Sequence, residues 1–325
     1  MPGNVAKTPR GFVTEFAARL AVHPPSASYS VAPLVGGRVL DLPFHARRCF
    51  DSARLLRSSA SGNADGDDGP AADWDRYLDA LRGALPSASA LAPPAGLLTI
   101  CASRGPDDWQ VASSVFGMEL GRLSMLSSAR DPMADAVTVD LTRSIQRNVP
   151  AAKAARWTLD RVPAETARHS TAAETIILAA DNDGDELLEG LVSNLFVWRG
   201  SQLETAPAGR VLSGSMASLV ERLAAKLGLS VVHQAPRLSE AQSWDAAIIT
   251  SATKPAVPIG RVLDPSGRVI KAFPRVLPAP LSELILLLRE GVYGSGSGSG
   301  SGEQLLAARG FDAPLWFSAQ DGLLL

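Results

Sequence analysis

The chain has 325 residues, 46% of them hydrophobic and 20% charged, with a formal net charge of −2. That length and apolar content support a buried core and favour two domains over one. A near-neutral balance with scattered basic residues argues against nucleic-acid binding, and apolar runs as short as LILLL at 284–288 fall well below the roughly 18 to 20 residues that span a bilayer, so no membrane partner is expected.

The two cysteines, Cys49 and Cys101, are too few and too far apart for a disulfide framework or a paired-cysteine zinc site. They read as core thiols in a reducing compartment. The polar first ten residues lack the apolar stretch of a secretory signal, so the expected location is the cytoplasm, with a plastid as the alternative given Lys7, Arg10 and Arg19 against Glu15 alone. Only five of the 31 basic residues are lysines: Lys7, Lys153, Lys226, Lys254 and Lys271.

In chain order, FHARRCFDSARLLRS (44–58) sets Phe44, Ala46, Phe50, Ala53 and Leu56 at helical spacing, above a basic outer face. A Gly/Asp/Ser-rich loop (58–71) leads to a second helix with Trp74, Tyr77, Leu78, Leu81 and Leu85 on one stripe. Strands are expected at 96–103, 109–116 and 136–142. The linker-like SSARDPMAD (127–135) sets the domain boundary, giving an α+β domain over 1–131 and a second over 132–325.

The second half adds strands at 174–180, 194–200, 229–234, 246–251 and 257–263, and a turn at 264–267. Its clearest helix is 214–228, with Met216, Leu219, Val220, Leu223 and Leu227 on one face and Gly228 at the stop. Another is expected at about 280–291. The Gly/Ser stretch 294–302 reads as a disordered, dispensable insert.

Residues 181–200, DNDGDELLEGLVSNLFVWRG, hold the chemistry. Asp181, Asp183 and Asp185 have calcium-loop spacing, but Glu186 stands where such a loop needs Gly and Val192 where it needs Glu. Asn182-Asp183-Gly184 is a strong hairpin turn, pairing the strand at Ile176 with the one that leads to Leu188. Glu189 is different. Flanked by Leu187, Leu188, Gly190, Leu191 and Val192, its carboxylate needs a cationic partner, because burying it unpaired is costly. Ser193 and Asn194 place a hydroxyl and an amide at the mouth of the apolar strand that follows.

LLEGLVSNLFV resembles the signature of class IV, fold type IV, pyridoxal-phosphate enzymes, which include branched-chain and D-amino acid aminotransferases and aminodeoxychorismate lyase. The resemblance implies a two-domain α+β fold with the cofactor between the domains, a homodimer, and transamination between amino acid and 2-oxo acid substrates. It pairs Glu189 with the protonated pyridine nitrogen, which keeps the ring an electron sink. The family's lysine lies some three dozen residues earlier; in NVPAAKAARW that is Lys153, 36 positions before Glu189. Lys7, Lys226, Lys254 and Lys271 match no such position.

TAPAGRVLSGSMASLVERLAAKLG is similar to the family's phosphate-cupping loop and helix start, which implies contacts from Gly214, Ser215 and Met216. ITSATKPAVPIGRV resembles the second phosphate loop and nominates Ser251 and Ala252. FHARRCFDSA matches a helix whose arginine holds phosphate, nominating Arg48, while His45 reads as a packing residue. Ser193 and Asn194 complete the cofactor set. These segments span about residues 40–270 in the family's order, and the wording Lys153-X-X-Arg156-Trp157 with DGDELLEG is closest to a plant and algal subgroup described as D-amino acid aminotransferase-like.

The departures matter as well. Arg156 stands at an Asn position, Gly214-Ser215-Met216-Ala217 replaces Gly-Ile-Thr-Arg, Ala252 replaces Thr, and Ser30-Val31-Ala32 replaces Thr-Leu-Arg. Side-chain phosphate contacts are thinned, and backbone contacts carry more. Two alternatives follow: β-elimination of the aminodeoxychorismate lyase type, since VPAAK is also similar to that enzyme, and a non-catalytic homologue acting as a binding protein. His23, His169 and His233 lie apart with no ligand spacing and support no metal site.

Overall fold

The computed structural model describes residues 20, 23–24, 26–61, 70–85, 95–105, 108–117, 131–179, 184–293, 301–311 and 315–318. Asp181, Asn182 and Asp183 of the expected hairpin turn, residues 62–69 of the loop, 127–130 of the linker and 294–300 of the Gly/Ser stretch lie outside them.

The first half builds an antiparallel sheet from β1 (Ser28–Val35), β2 (Arg38–Leu40), β3 (Ala95–Arg104) and β4 (Trp109–Gly117), with helices α1 (Leu42–Ser61) and α2 (Pro70–Ala84) packed on it. α1 runs past both ends of the expected helix. It buries Ala46, Cys49, Phe50 and Ala53 at three- and four-residue spacing against Tyr77, Leu81, Leu98, Ile100 and Trp109. Phe50 meets Trp74 edge-on at 5.0 Å and Trp109 stacked at 5.1 Å, geometries that aromatic quadrupoles favour.

The second half forms a nine-stranded sheet: β5 (Val137–Thr142), β6 (Glu174–Leu178), β7 (Leu187–Gly190), β8 (Asn194–Arg199), β9 (Gln202–Thr205), β10 (Ser230–His233), β11 (Ala246–Ser251), β12 (Lys254–Leu263) and β13 (Val269–Ala272). Parallel β5 and β6 are joined by a crossover that holds Lys153 and the short helices α3 (Trp157–Asp160) and α4 (Val162–Ala167). Parallel β9 and β10 are joined across α5 (Ser215–Lys226). α5 buries Met216, Leu219, Val220 and Leu223 as its periodicity requires, and the chain leaves it through Gly228 at φ +69°. α6 (Ala279–Leu286) continues as a π-helical segment over Leu287–Tyr293.

Two features depart from the sequence reading. Ser301 and Gly302 do not belong to a disordered insert but open α7 (Ser301–Ala307), because Leu305 and Leu306 give that segment an apolar face for the core. The last described strand, β14 (Trp316–Ser318), pairs with β2, so the chain ends its described course in the sheet of its first half. No helix among the described residues is long and apolar enough to cross a membrane.

The sheet of the second half also closes on itself. β7 pairs with β8 through the single register pair Glu189–Asn194, completing a ring through β8, β11, β12, β5, β6 and β7. The connecting turn is held by Gly190 N–H to Ser193 O at 2.8 Å and Leu191 N–H to Thr175 O at 3.1 Å. Ser193 Oγ donates to the buried Glu174 carboxylate at 3.0 Å. Gly190 is required here: a Cβ would lie 2.2 Å from Ser193 Oγ and 3.0 Å from the Glu174 carboxyl carbon. Gly190→Ala should therefore break the Ser193–Glu174 bond and lower stability by about 1–3 kcal/mol, read as a lower denaturation midpoint at unchanged slope.

Candidate active site at the seam of the ring

α1 carries a second buried face. His45, Arg48 and Ser52, at i, i+3 and i+7, line it. Ser52 Oγ accepts the Lys153 backbone N–H at 3.0 Å. The Lys153 carbonyl accepts Tyr29 N–H at 2.9 Å, and Ala27 O accepts Ala155 N–H at 2.8 Å. One helix face and the start of β1 thus fix the backbone on which Lys153 stands.

The half-buried Lys153 side chain sets its ammonium 4.8 Å from the Tyr29 ring centre. Burial, helped by Arg48, Arg147 and Arg161 and opposed by Tyr29, lowers its pKa to about 8. Tyr29 itself is buried, which raises its pKa, but Lys153, Arg161 and Arg147 outweigh that and bring the phenol to about 8. Arg161 hydrogen-bonds Tyr29 and donates from Nε to Glu165 at 2.9 Å. This cationic nest around one phenol was missed in the sequence: Arg147 and Arg161 are ordinary members of an arginine-rich chain, and Tyr29 begins an unremarked strand.

Glu189 is buried at the ring's closing pair. The cationic partner its apolar flanks call for is Arg147, whose Nε donates to Oε1 at 2.8 Å, with both side chains 5% exposed. Oε2 accepts Leu212 N–H at 3.2 Å. Burial raises the Glu189 pKa, opposed by Arg147, the Leu212 amide and Lys153. Ionised carboxylate offers about four acceptor positions, so these two bonds leave others open.

The remaining nominated residues gather at the α5 N-terminus. Gly214 caps the helix without a side-chain bond, which leaves the N–H groups of Ser215, Met216 and Ala217 outside the helical ladder at its positive end. The Met216 side chain is in the core, so only its backbone faces this end. Asn194 Nδ2 donates to Leu212 O at 2.7 Å, and its Oδ1 packs so closely on Gly214 that a Cβ there would lie 2.0 Å away. Asn194 and Ser193 therefore spend these groups on the protein, one bracing the 212–214 loop and the other Glu174. Thr250 pairs with Asn194, which brings Ser251 and the Ala252 turn to the same end of the sheet.

Arg48 reaches this end from α1. Nη2 donates to Ser30 Oγ at 2.7 Å and Nη1 to Ser213 O at 3.4 Å. The Ser30 hydroxyl, accepting from Arg48, can donate to His45 Nδ1 at 2.8 Å, consistent with a neutral imidazole whose pKa is pushed well down by burial and by Arg48 and Lys153. Burial lowers Arg48 to about 10. Arg48 Nε and Ser251 Oγ are buried without a hydrogen-bond partner among the described residues. Buried donors of this kind are normally satisfied. With the open α5 amides they form a donor set suited to a phosphate, in the same cluster as a low-pKa amine and a carboxylate. That set fits pyridoxal phosphate. No cluster of three metal-ligating side chains occurs among the described residues.

Among solved structures, the chain is similar to a branched-chain aminotransferase from Thermoproteus uzoniensis with norvaline, at 18% identity and TM-score 0.59 over 86% of this chain and 88% of that one. It is also similar to the PLP-bound form of a hypothetical aminotransferase from Mycobacterium tuberculosis, at 18% identity and TM-score 0.60 over 85% and 92%. A third is the branched-chain amino acid aminotransferase from Escherichia coli, at 17% identity and TM-score 0.58 over 86% and 88%. At these identities the likeness shows the fold, which is the fold type IV α+β architecture. A search of curated protein sequences finds no match. The family model for amino-transferase class IV matches residues 29–262, well over half of the chain. The protein therefore belongs to the class IV amino-transferases.

Proposed function

We propose that the protein is a pyridoxal 5'-phosphate-dependent aminotransferase that moves an amino group between an amino acid, of the branched-chain or D-amino acid type, and a 2-oxo acid. The observation that carries this reading is the gathering of Lys153 and Glu189 in one cluster, close enough for the Lys153 charge to act on the Glu189 carboxyl, with Arg48 and the α5 N-terminus as its phosphate-binding side. The wording around Lys153 and Glu189 supports membership of the plant and algal D-amino acid aminotransferase-like subgroup. We further propose a division into domains near residue 131, a cytoplasmic location, and a homodimer that covers the exposed Leu159, Val162 and Val192, which flank the Trp157–Leu191 contact.

When bound, pyridoxal phosphate supplies an aldehyde for amine capture and a ring that accepts the electron pair left when a bond at the substrate Cα breaks. Arg48, the amides of Ser215 to Ala217, Ser251 and the Ala252 turn would hold its phosphate. Glu189 would hold the proton on the ring nitrogen. Lys153 Nζ would hold the aldehyde carbon until a substrate amine displaces it, and the freed amine would then move the substrate Cα proton. A neutral amine is needed for capture, and a pKa of about 8 supplies it at far lower pH than a free lysine would.

The direction of that shift sets a pH dependence. Capture of pyridoxal phosphate by the cofactor-free protein, followed by absorbance, should speed up as pH rises through about 8, where a free lysine would titrate near about 10.4. A half-rise near the free value would count against a buried Lys153.

Lys153→Ala should bind the cofactor without any borohydride-reducible bond and lose turnover. Glu189→Gln should still form the reducible bond while turnover falls on the order of 10²- to 10³-fold, as when one preorganised electrostatic partner is removed. Borohydride trapping on Lys226, Lys254 or Lys271 would move the site. Pyruvate released without an amino acceptor would identify the lyase alternative, and absence of any reducible adduct would identify a non-catalytic binding protein.

A further inference from the structure

Arg147 is held from two sides. Its guanidinium stacks on the Trp157 ring at 4.3 Å and its Nε bonds Glu189 at 2.8 Å. Trp157 is fixed in turn by its indole N–H to Leu191 O at 2.8 Å. Both ends of this clamp are buried, so Arg147 cannot turn away from Glu189 without giving up a desolvated stacking contact and leaving a buried carboxylate uncompensated.

We propose that Arg147 is the positioning residue of the reacting centre: clamped between Trp157 and Glu189, it keeps that carboxylate ionised and turned so that its open acceptor positions serve the cofactor ring, and its charge favours the neutral form of the neighbouring Lys153 amine. The proposal rests on the reading of Lys153 and Glu189 given above. One cation acts on two groups, in the sense that suits each. It opposes the effect of burial on Glu189 and adds to that effect on Lys153.

The other charges facing these groups are already committed. From α1, Arg48 is bonded to Ser30 and Ser213, and neutral His45 adjoins it. From β1, Tyr29 faces Lys153 and opposes the cations. From the turn ahead of α4, Arg161 is tied to Tyr29 and Glu165. Among the described residues, Arg147 is the side-chain cation bonded to Glu189.

The test uses the full-length, cofactor-free protein and two readouts other than turnover. The first is the pH profile of pyridoxal phosphate capture, with the modified lysine mapped after borohydride reduction. The second is the pH dependence of pyridoxamine phosphate affinity, by fluorescence titration; this compound has no aldehyde and reports Glu189 without Lys153 capture. In Arg147→Met, loss of a neighbouring cation raises both pKa values. The capture profile should move to higher pH by about one unit, and tight pyridoxamine phosphate binding should likewise begin at higher pH. Arg147→Lys should restore most of both shifts.

If Arg147→Met is too unstable to purify, Arg147→Met/Glu189→Gln removes the uncompensated carboxylate. Compared with Glu189→Gln alone, it should still show the higher capture profile. Unchanged profiles in Arg147→Met, or in the double variant against its Gln parent, overturn the proposal while leaving Lys153 and Glu189 in their roles. Shifts that Arg147→Lys fails to reverse also overturn it, because a charge effect must survive that exchange. If the trapped lysine is not Lys153, the reading of the site fails and this proposal falls with it.

Discussion

The buried Arg147–Glu189 pair is the contact on which the site depends. A carboxylate at the closing register pair of a ring of strands is buried from solvent, and desolvation alone would drive it to take up a proton. Arg147 offsets that, and the Leu212 amide takes the second oxygen. Through Leu212 the pair also reaches the loop that opens α5, since Asn194 bonds the Leu212 carbonyl. Charge balance at the seam and the position of the helix N-terminus are therefore linked by a few short bonds.

α1 is the complementary device on the side of the first sheet. One of its faces packs the core of Phe50, Tyr77 and Trp109; the adjoining face carries Arg48 to the Ser213 carbonyl and Ser52 to the Lys153 backbone. A single helix therefore sets the spacing between Arg48 and Lys153. Under the proposed reading, a site with thinned side-chain ligands would still hold a phosphate, because helix-end amides do not depend on side-chain identity and, among the described residues, Arg48 Nε and Ser251 Oγ are buried donors without a partner.

The sequence was legible where local chemistry decides the outcome. The α5 stripe and its Gly228 stop, the apolar strand at 246–251, and the Leu-Leu-Glu-Gly setting that makes Glu189 a buried carboxylate in need of a cation all appear in the structure. So do the ordered motifs that match the class IV family over residues 29–262. Less legible were the short strands β2, β9 and β14, which have too few residues to show a period, and α7, whose first two residues look like the end of a Gly/Ser run.

What the sequence determined by itself is therefore the set of periodic elements, the family, and the need for a cation at Glu189. The tertiary structure decided which cation: Arg147, 42 positions away, joins Glu189 because the β5–β6 crossover and the ring closure bring them together. It also decided that Tyr29 and Arg161 face Lys153, and that Asn194 and Ser193 brace the protein. Periodicity reports which face of an element is buried. It carries no information on which of 26 arginines will meet a given carboxylate, because that pairing is set by long-range packing, and all of them look alike until the chain has folded.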